Sequence, residues 1–240
     1  MNLHGSTALV TGANRGIGRH FARQLLERGA TKVYAAARNP EQIDLPGVEP
    51  IRLDITDPDS VAAAAKAAPD VTVLINNAGI ATFQNLVTGD ADAARTEMET
   101  NFFGTLNMVR AFAPALAANG GGAILNILSV LSWRSVNLAT AYAASKAASW
   151  SLTNGARLEL AAQGTQVTGL HVSGVDTDML AAVEADKSDP ADVARAGLDG
   201  IEAGALEVLA DQAAIDLKAT LNADLRDLYP ELTANQLTAG

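Results

Sequence analysis

Between Ser6 and Ala210 the chain alternates short apolar, β-branched runs with longer helical stretches. The runs Ser6–Thr11, Lys32–Ala37, Val48–Asp54, Val71–Asn76, Ala123–Leu128, Gln166–Val172 and Leu206–Ala210 read as strands. They are apolar throughout instead of alternating, the pattern of strands covered on both faces. Helical stretches lie between them at Gly16–Arg28, Asp57–Ala67, Asp90–Asn119, Ala139–Gln163, Pro190–Ala203 and Asp211–Asp227. Strict alternation of this kind predicts an α/β fold: a doubly wound parallel sheet of about seven strands, with helices on both faces.

Local punctuation agrees. Gly29 follows Arg28 as a left-handed helix stop, and Asp57-Pro58 and Asp189-Pro190 each pair a cap with a first-turn proline. Gly120-Gly121-Gly122 reads as a turn between helix and strand. No repeat, low-complexity segment or linker interrupts the 240 residues, so residues 1–240 are expected to form a single domain. The tail Tyr229–Gly240 has no pattern and is expected to be loose or to cover a neighbouring subunit.

Composition narrows the function classes. With a net charge of −10, five Lys and no basic run, neither nucleic acid nor an anionic membrane surface is an expected partner. There is no Cys, hence no disulfide framework or thiolate metal site. His4, His20 and His171 lack metal-ligand spacing and read as surface or strand-end residues, so no metal is expected. No secretory signal and no apolar run of roughly 20 residues is seen, and a cytoplasmic location is expected.

Chemistry enters at Thr11-Gly12-Ala13-Asn14-Arg15-Gly16-Ile17-Gly18, directly between the first strand and first helix. Gly12 permits a tight turn, Gly16 lets a pyrophosphate approach the backbone, and Gly18 brings helix against strand. Asn14, Arg15 and Ile17 lie between these glycines, at a helix N-terminus that offers free N–H groups to phosphate. At the end of the second strand, Ala37 occupies the position where an acid would bind ribose hydroxyls, and Arg38 follows it. Arg15 and Arg38, with no acid expected nearby, favour a 2′-phosphate and therefore NADP(H).

Tyr142 and Lys146 stand four residues apart on one face of a helix, near its start. An unperturbed Tyr titrates near 10, too high for acid–base work at neutral pH. A neighbouring ammonium, here Lys146, is expected to lower that value by favouring the phenolate.

Taken together, TGANRGIG, Asn76-Asn77-Ala78-Gly79, Asn101, Ser129 and Tyr142-Ala143-Ala144-Ser145-Lys146 resemble the classical short-chain dehydrogenase/reductase family, from about Thr7 to Met179. The resemblance implies a Rossmann-type fold and a nicotinamide-dependent oxidoreductase. It makes Tyr142 the proton donor and Ser129 the group that holds the carbonyl oxygen. Lys146 would also bond the nicotinamide ribose, and Asn101 would hold a water linking that lysine to solvent. Asp54, with Ile55, resembles the adenine contact. Asn76 would steady the sheet, while Asn77, Ala78 and Gly79 run beside the cofactor. Val175 and Thr177 align with the residues that hold the carboxamide. Two departures stand out: Leu128-Ser129 replaces the usual serine pair, and the proline after the sixth strand is missing.

Ile80, Phe83, Leu131, Trp133, Asn137 and Met179 follow the fourth, fifth and sixth strands, where open α/β sheets bind ligands. None is charged, so a moderately apolar ketone or aldehyde is the expected substrate. The helices Asp90–Asn119 and Ala139–Gln163 resemble the family's dimer-forming pair, implying a homodimer or homotetramer. The reading is an NADPH-dependent carbonyl reductase, reversible as a secondary alcohol dehydrogenase. An NADPH-binding sensor or scaffold without turnover is the alternative.

Overall fold

The computed structural model describes residues 1–232. Seven strands form one all-parallel sheet: β1 (Thr7–Thr11), β2 (Lys32–Ala37), β3 (Glu49–Arg52), β4 (Val73–Asn76), β5 (Ala123–Ile127), β6 (Gln166–His171) and β7 (Glu207–Leu209). Their order is β3-β2-β1-β4-β5-β6-β7. The chain winds outward from β1 in one direction, then returns to its other side at β4. This is the Rossmann-type architecture expected, and its switch point lies between the carboxyl ends of β1 and β4.

The helices divide between the two faces. Helices α1 (Gly16–Glu27) and α6 (Pro190–Glu202) pack Phe21, Leu25, Leu198 and Ile201 against Val10, Val33, Ile75 and Leu125. On the other face, α2 (Pro58–Ala67) supplies Val61 and Ala64. Helix α4 (Thr105–Ala118) adds Met108, Phe112 and Leu116, and α5 (Thr140–Glu159) adds Ala156, all over Leu9, Leu74 and Ile124. Side chains of successive strand residues point to opposite faces. Both faces are buried, so both must be apolar, which explains the unbroken apolar runs.

Helix ends follow the expected chemistry. Gly29 takes φ +81°, and Ala30 N–H donates back to Leu25 at 3.0 Å. Asp57 and Asp189 accept from Asp59 and Ala191 N–H beside their prolines. All three glycines of Gly120–Gly122 have positive φ.

One expected helix contains a π turn without leaving helical backbone, and another is broken. In place of one helix over Asp90–Asn119, α3 (Ala91–Met98) runs into a π-helical turn, Glu99–Gly104, before α4 begins. The wider turn aims Asn101 at the Ile80 backbone and lets Gly104 ride on Ile55, where an added Cβ would sit 2.7 Å from that side chain. In place of one helix over Asp211–Asp227, α7 (Gln212–Ala219) stops and α8 (Leu225–Leu228) restarts under an Asp224 cap. The edge strand β3 is shorter than the run Val48–Asp54. The expectation for the tail beyond Leu232 lies outside the described residues.

Phe112 is wholly buried among α2, α4 and the sheet. Phe112→Ala is expected to lower the unfolding free energy by about 3–5 kcal/mol in urea titrations, with little change in m-value.

Candidate active site

A cleft of about 1140 Å³ opens at the carboxyl ends of the strands, centred on the β1/β4 switch point. Its floor is the glycine turn. Gly12 and Gly16 take φ of +65° and +52°. Gly18 lies so close under the turn that a Cβ would stand 2.2 Å from the Gly12 carbonyl oxygen. No side chain caps α1 and no acid lies in its first turn. Its first N–H groups and positive end therefore face the cleft, a fit for phosphate.

Around this floor stand Asn14, Arg15, Gly16, Ile17, Arg38, Asp54, Ile55, Asn77, Ala78 and Gly79, as expected for a dinucleotide groove. Asn39 and Gln42, which follow Arg38, complete its outer wall. One detail corrects the sequence reading. Arg15 has an acid nearby: its Nη1 lies 3.1 Å from the Asp178 carboxylate, with both side chains exposed. Such a surface pair is weak and readily exchanged. No carboxylate pairs with Arg38 among the described residues. Asn77 spends its side-chain donors on the Thr11 and Gly12 carbonyls, at 2.9 and 3.3 Å. It holds the glycine turn in place, and the residue lines the cleft.

At the opposite end, Ser129, Tyr142 and Lys146 come together, Ser129 after β5 and the other two on α5. Ser129 caps a 3₁₀ turn, its Oγ accepting Leu131 N–H at 3.1 Å. One lone pair is thus occupied, and the O–H proton is directed into the cleft, at the Tyr142 phenol. Ser129 bonds the Tyr142 phenol, which favours the phenolate. Lys146 Nζ donates to the Ile127 carbonyl at 2.8 Å and sits 5.6 Å from the Tyr142 ring centre.

Desolvation dominates the electrostatics. Burial pushes the Tyr142 phenol well above its ordinary value, more than Ser129 can offset, and the nearby Glu97 carboxylate adds to the rise. Burial also pulls the Lys146 ammonium down to about 8. The expected lowering of Tyr142 by Lys146 is not found: burial sets the direction, and in the free protein Tyr142 stands as a phenol.

Asn101, nearly fully buried, clips the backbone beneath the cleft. Its Oδ1 accepts Ile80 N–H at 2.9 Å, and its Nδ2 donates to the Ile80 carbonyl and to Ser145 Oγ. These bonds hold the loop after β4 in shape. Asn76 steadies the sheet as expected, donating to Asn126, which passes the chain on to Thr153 on α5.

Where the proline is missing after β6, Ser173 is tied down instead. Its N–H and hydroxyl both donate to Asp211, the residue that caps α7. Val175 pairs with Ser188, and Thr177 closes against Gly16, placing both residues on the cleft wall.

Of the expected substrate wall, Ile80, Phe83, Leu131 and Met179 line the cleft, joined by Val130, Ala139 and Leu180. Trp133 and Asn137 do not. The 3₁₀ turn carries Trp133 behind Ser129, where it stacks on His171 at 3.8 Å, and Asn137 faces solvent. His171, expected as a surface or strand-end residue, ends β6 and is completely buried. Glu97 is buried too, accepting Thr82 N–H and Oγ–H. An acid inside an amphipathic helix reads as a surface residue, so only packing could reveal it.

Known proteins share this arrangement. Residues 6–188 match the family model for short chain dehydrogenase. A short chain dehydrogenase from Burkholderia cenocepacia J2315, solved in complex with NADP, superposes with a TM-score of 0.93 at 43% identity, covering 97% of this chain and 99% of that one. An uncharacterized oxidoreductase of Staphylococcus aureus (strain MW2) is 33% identical over 205 residues, 80% of this chain and 88% of that protein. The D-erythrulose reductase of Gallus gallus is 33% identical over 185 residues, 75% of each chain.

Because Gly18 cannot accept a Cβ without displacing the turn, Gly18→Ala is expected to weaken dinucleotide binding at least about ten-fold in calorimetric titrations, with the far-UV circular dichroism retained.

Proposed function

The chain belongs to the short-chain dehydrogenase family, and on that premise we propose that it is a cytoplasmic, NADPH-dependent reductase of ketones and aldehydes, reversible as a secondary alcohol dehydrogenase. One observation carries the reading. A phenol, the hydroxyl that bonds it and a buried amine share one end of a cleft whose other end is an anion-binding glycine turn beside Arg38, which has no carboxylate partner among the described residues.

NADPH, when bound, supplies the hydride that adds to the carbonyl carbon. Its phosphates would be held by the turn Gly12–Gly18 and by Arg38, the adenine end by Asp54 and Ile55, and the nicotinamide end by Val175 and Thr177. Tyr142 and Lys146 would hold the ribose hydroxyls. The residues of this chain manage the oxygen. Ser129 donates to it where negative charge develops. Tyr142 gives up its phenolic proton as the carbonyl π pair becomes the new O–H bond. Lys146 stabilises the phenolate left behind until solvent restores the proton.

Arg38 supports the choice of NADPH, because a guanidinium pairs with a dianionic phosphate through two directional hydrogen bonds. Arg15 can leave its exposed partner Asp178 for the same phosphate. The similarity to an NADP-bound relative and to D-erythrulose reductase supports both the cofactor and carbonyl reduction. Ile80, Phe83, Leu131 and Met179 around the reacting end support a moderately apolar substrate. Phe103 on the π turn and Leu158 on α5 are exposed and support a homodimer or homotetramer through α4 and α5.

Oxidation of NADPH, and separately NADH, should be followed over 2-octanone, acetophenone, ethyl acetoacetate and erythrulose. Turnover is expected with NADPH at least about ten-fold faster than with NADH at low cofactor. Arg38→Ala should shrink that ratio and Tyr142→Phe should abolish turnover. Tight NADPH binding with no turnover on any carbonyl would move the assignment to a sensing role.

The Lys146 ammonium is lost as pH rises through about 8. The kcat/KM for reduction is expected to be level below pH 8 and to fall above it, by up to about ten-fold per unit. In Lys146→Arg, whose guanidinium stays charged, the profile should be slower overall but flat from pH 7 to 10.

A further inference from the structure

Behind Ser129 lies a stack of side chains with no part in the reaction as described. His171, at the end of β6, is completely buried. Its Nδ1 lies 3.2 Å from the Ser129 carbonyl oxygen. Its ring is stacked on Trp133 at 3.8 Å and 21°. On the far side its Nε2 is 3.6 Å from the Glu207 carboxylate. Lys218 of α7 closes the assembly, bonded to Glu207 at 2.8 Å and lying over the Trp133 ring at 4.8 Å.

The chemistry of these contacts selects one tautomer. A carbonyl oxygen can only accept, so the nitrogen beside Ser129 must carry the proton. Burial pulls His171 down to about 4, which leaves the ring neutral at working pH with a single N–H. Nε2 is then a bare lone pair, and it has no hydrogen-bond partner among the described residues. A lone pair facing an unpaired carboxylate is repulsive. Lys218 removes that conflict by neutralising Glu207, so the proton stays on Nδ1 where Ser129 needs it. Trp133 fixes the plane of the ring, and with it the direction of the N–H.

Ser129 is also the cap of the turn Val130–Ser132, so the position of its carbonyl sets the position of its hydroxyl. We propose that His171 is a positioning residue for Ser129: as the Nδ1–H tautomer, held flat by Trp133 and kept in that form by the Lys218–Glu207 pair, it sets where the Ser129 hydroxyl meets the substrate oxygen. This rests on the reading that Ser129 holds that oxygen. It also accounts for an aromatic residue that leaves the substrate wall and for a wholly buried histidine at a strand end.

Two measurements test it. The first uses the wild-type protein with ¹⁵N-labelled histidine, whose three side chains are readily resolved by long-range ¹H–¹⁵N correlation. One histidine should show the Nδ1–H tautomer, with no titration between pH 5 and 9, and Lys218→Met should shift that site toward Nε2–H or raise its titration midpoint. An Nε2–H tautomer at the site whose signals disappear in His171→Phe overturns the proposal. The second compares His171→Asn, which keeps a donor near the Nδ1 position, with His171→Phe, which keeps a stacking ring but no donor. On the fastest ketone of the panel, His171→Phe should lose about ten- to a hundred-fold in kcat. Its NADPH Kd should stay within about two-fold, and His171→Asn should recover much of the loss. Equal losses in both variants overturn the positioning role in favour of packing alone. If the wild type reduces no carbonyl, the reductase reading has failed, and the tautomer measurement still decides the state of His171.

Discussion

Everything at the site depends on one close approach. Helix α1 passes so near the end of β1 that Gly18 leaves no room for a Cβ beneath the Gly12 carbonyl, and Asn77 from the neighbouring β4 locks that carbonyl in place. Thr11 adds to the lock, its hydroxyl accepting both Asn77 and Ala78 N–H while donating to Ile75. The two central strands are thereby stitched together where the strand order reverses. Without this contact the helix N-terminus would not face the cleft, and its unpaired N–H groups would have nothing to offer a phosphate.

The catalytic end is governed by desolvation more than by charge pairing. Moving a phenol and an amine out of water disfavours the charged form of each, raising Tyr142 and lowering Lys146. Both shifts oppose the charges the reaction calls for, so in the free protein Tyr142 keeps its proton and Lys146 is the readier of the two to lose one. The polar groups beneath them are nearly all satisfied within the chain: Asn101 on Ile80 and Ser145, Asn126 on Asn76 and Thr153, Lys146 on Ile127. A buried network in this condition is rigid, because losing any partner would leave a neighbour unpaired.

Much of the fold was legible because buried parallel strands must be apolar on both faces, and helix caps use few residue types. What local reading missed were consequences of long-range contact. The helix expected over Asp90–Asn119 widens into a π turn where Asn101 and Gly104 meet Ile80 and Ile55 from elsewhere in the chain. The missing proline after β6 is replaced by Ser173 bonded to Asp211, some forty residues on. Arg15 acquired an acid, Asp178, that no local window could show.

The sequence by itself determined the order of the elements, the glycine turn, and the spacing of Tyr142 and Lys146, since each rests on steric or periodic rules acting over a few residues. Tertiary structure alone decided the environment: which aromatic leaves the substrate wall, which histidine is buried, and whether burial or a neighbouring charge governs Tyr142. Those outcomes depend on how much water and which partners surround a group. Both are set by distances between segments that lie far apart in the chain.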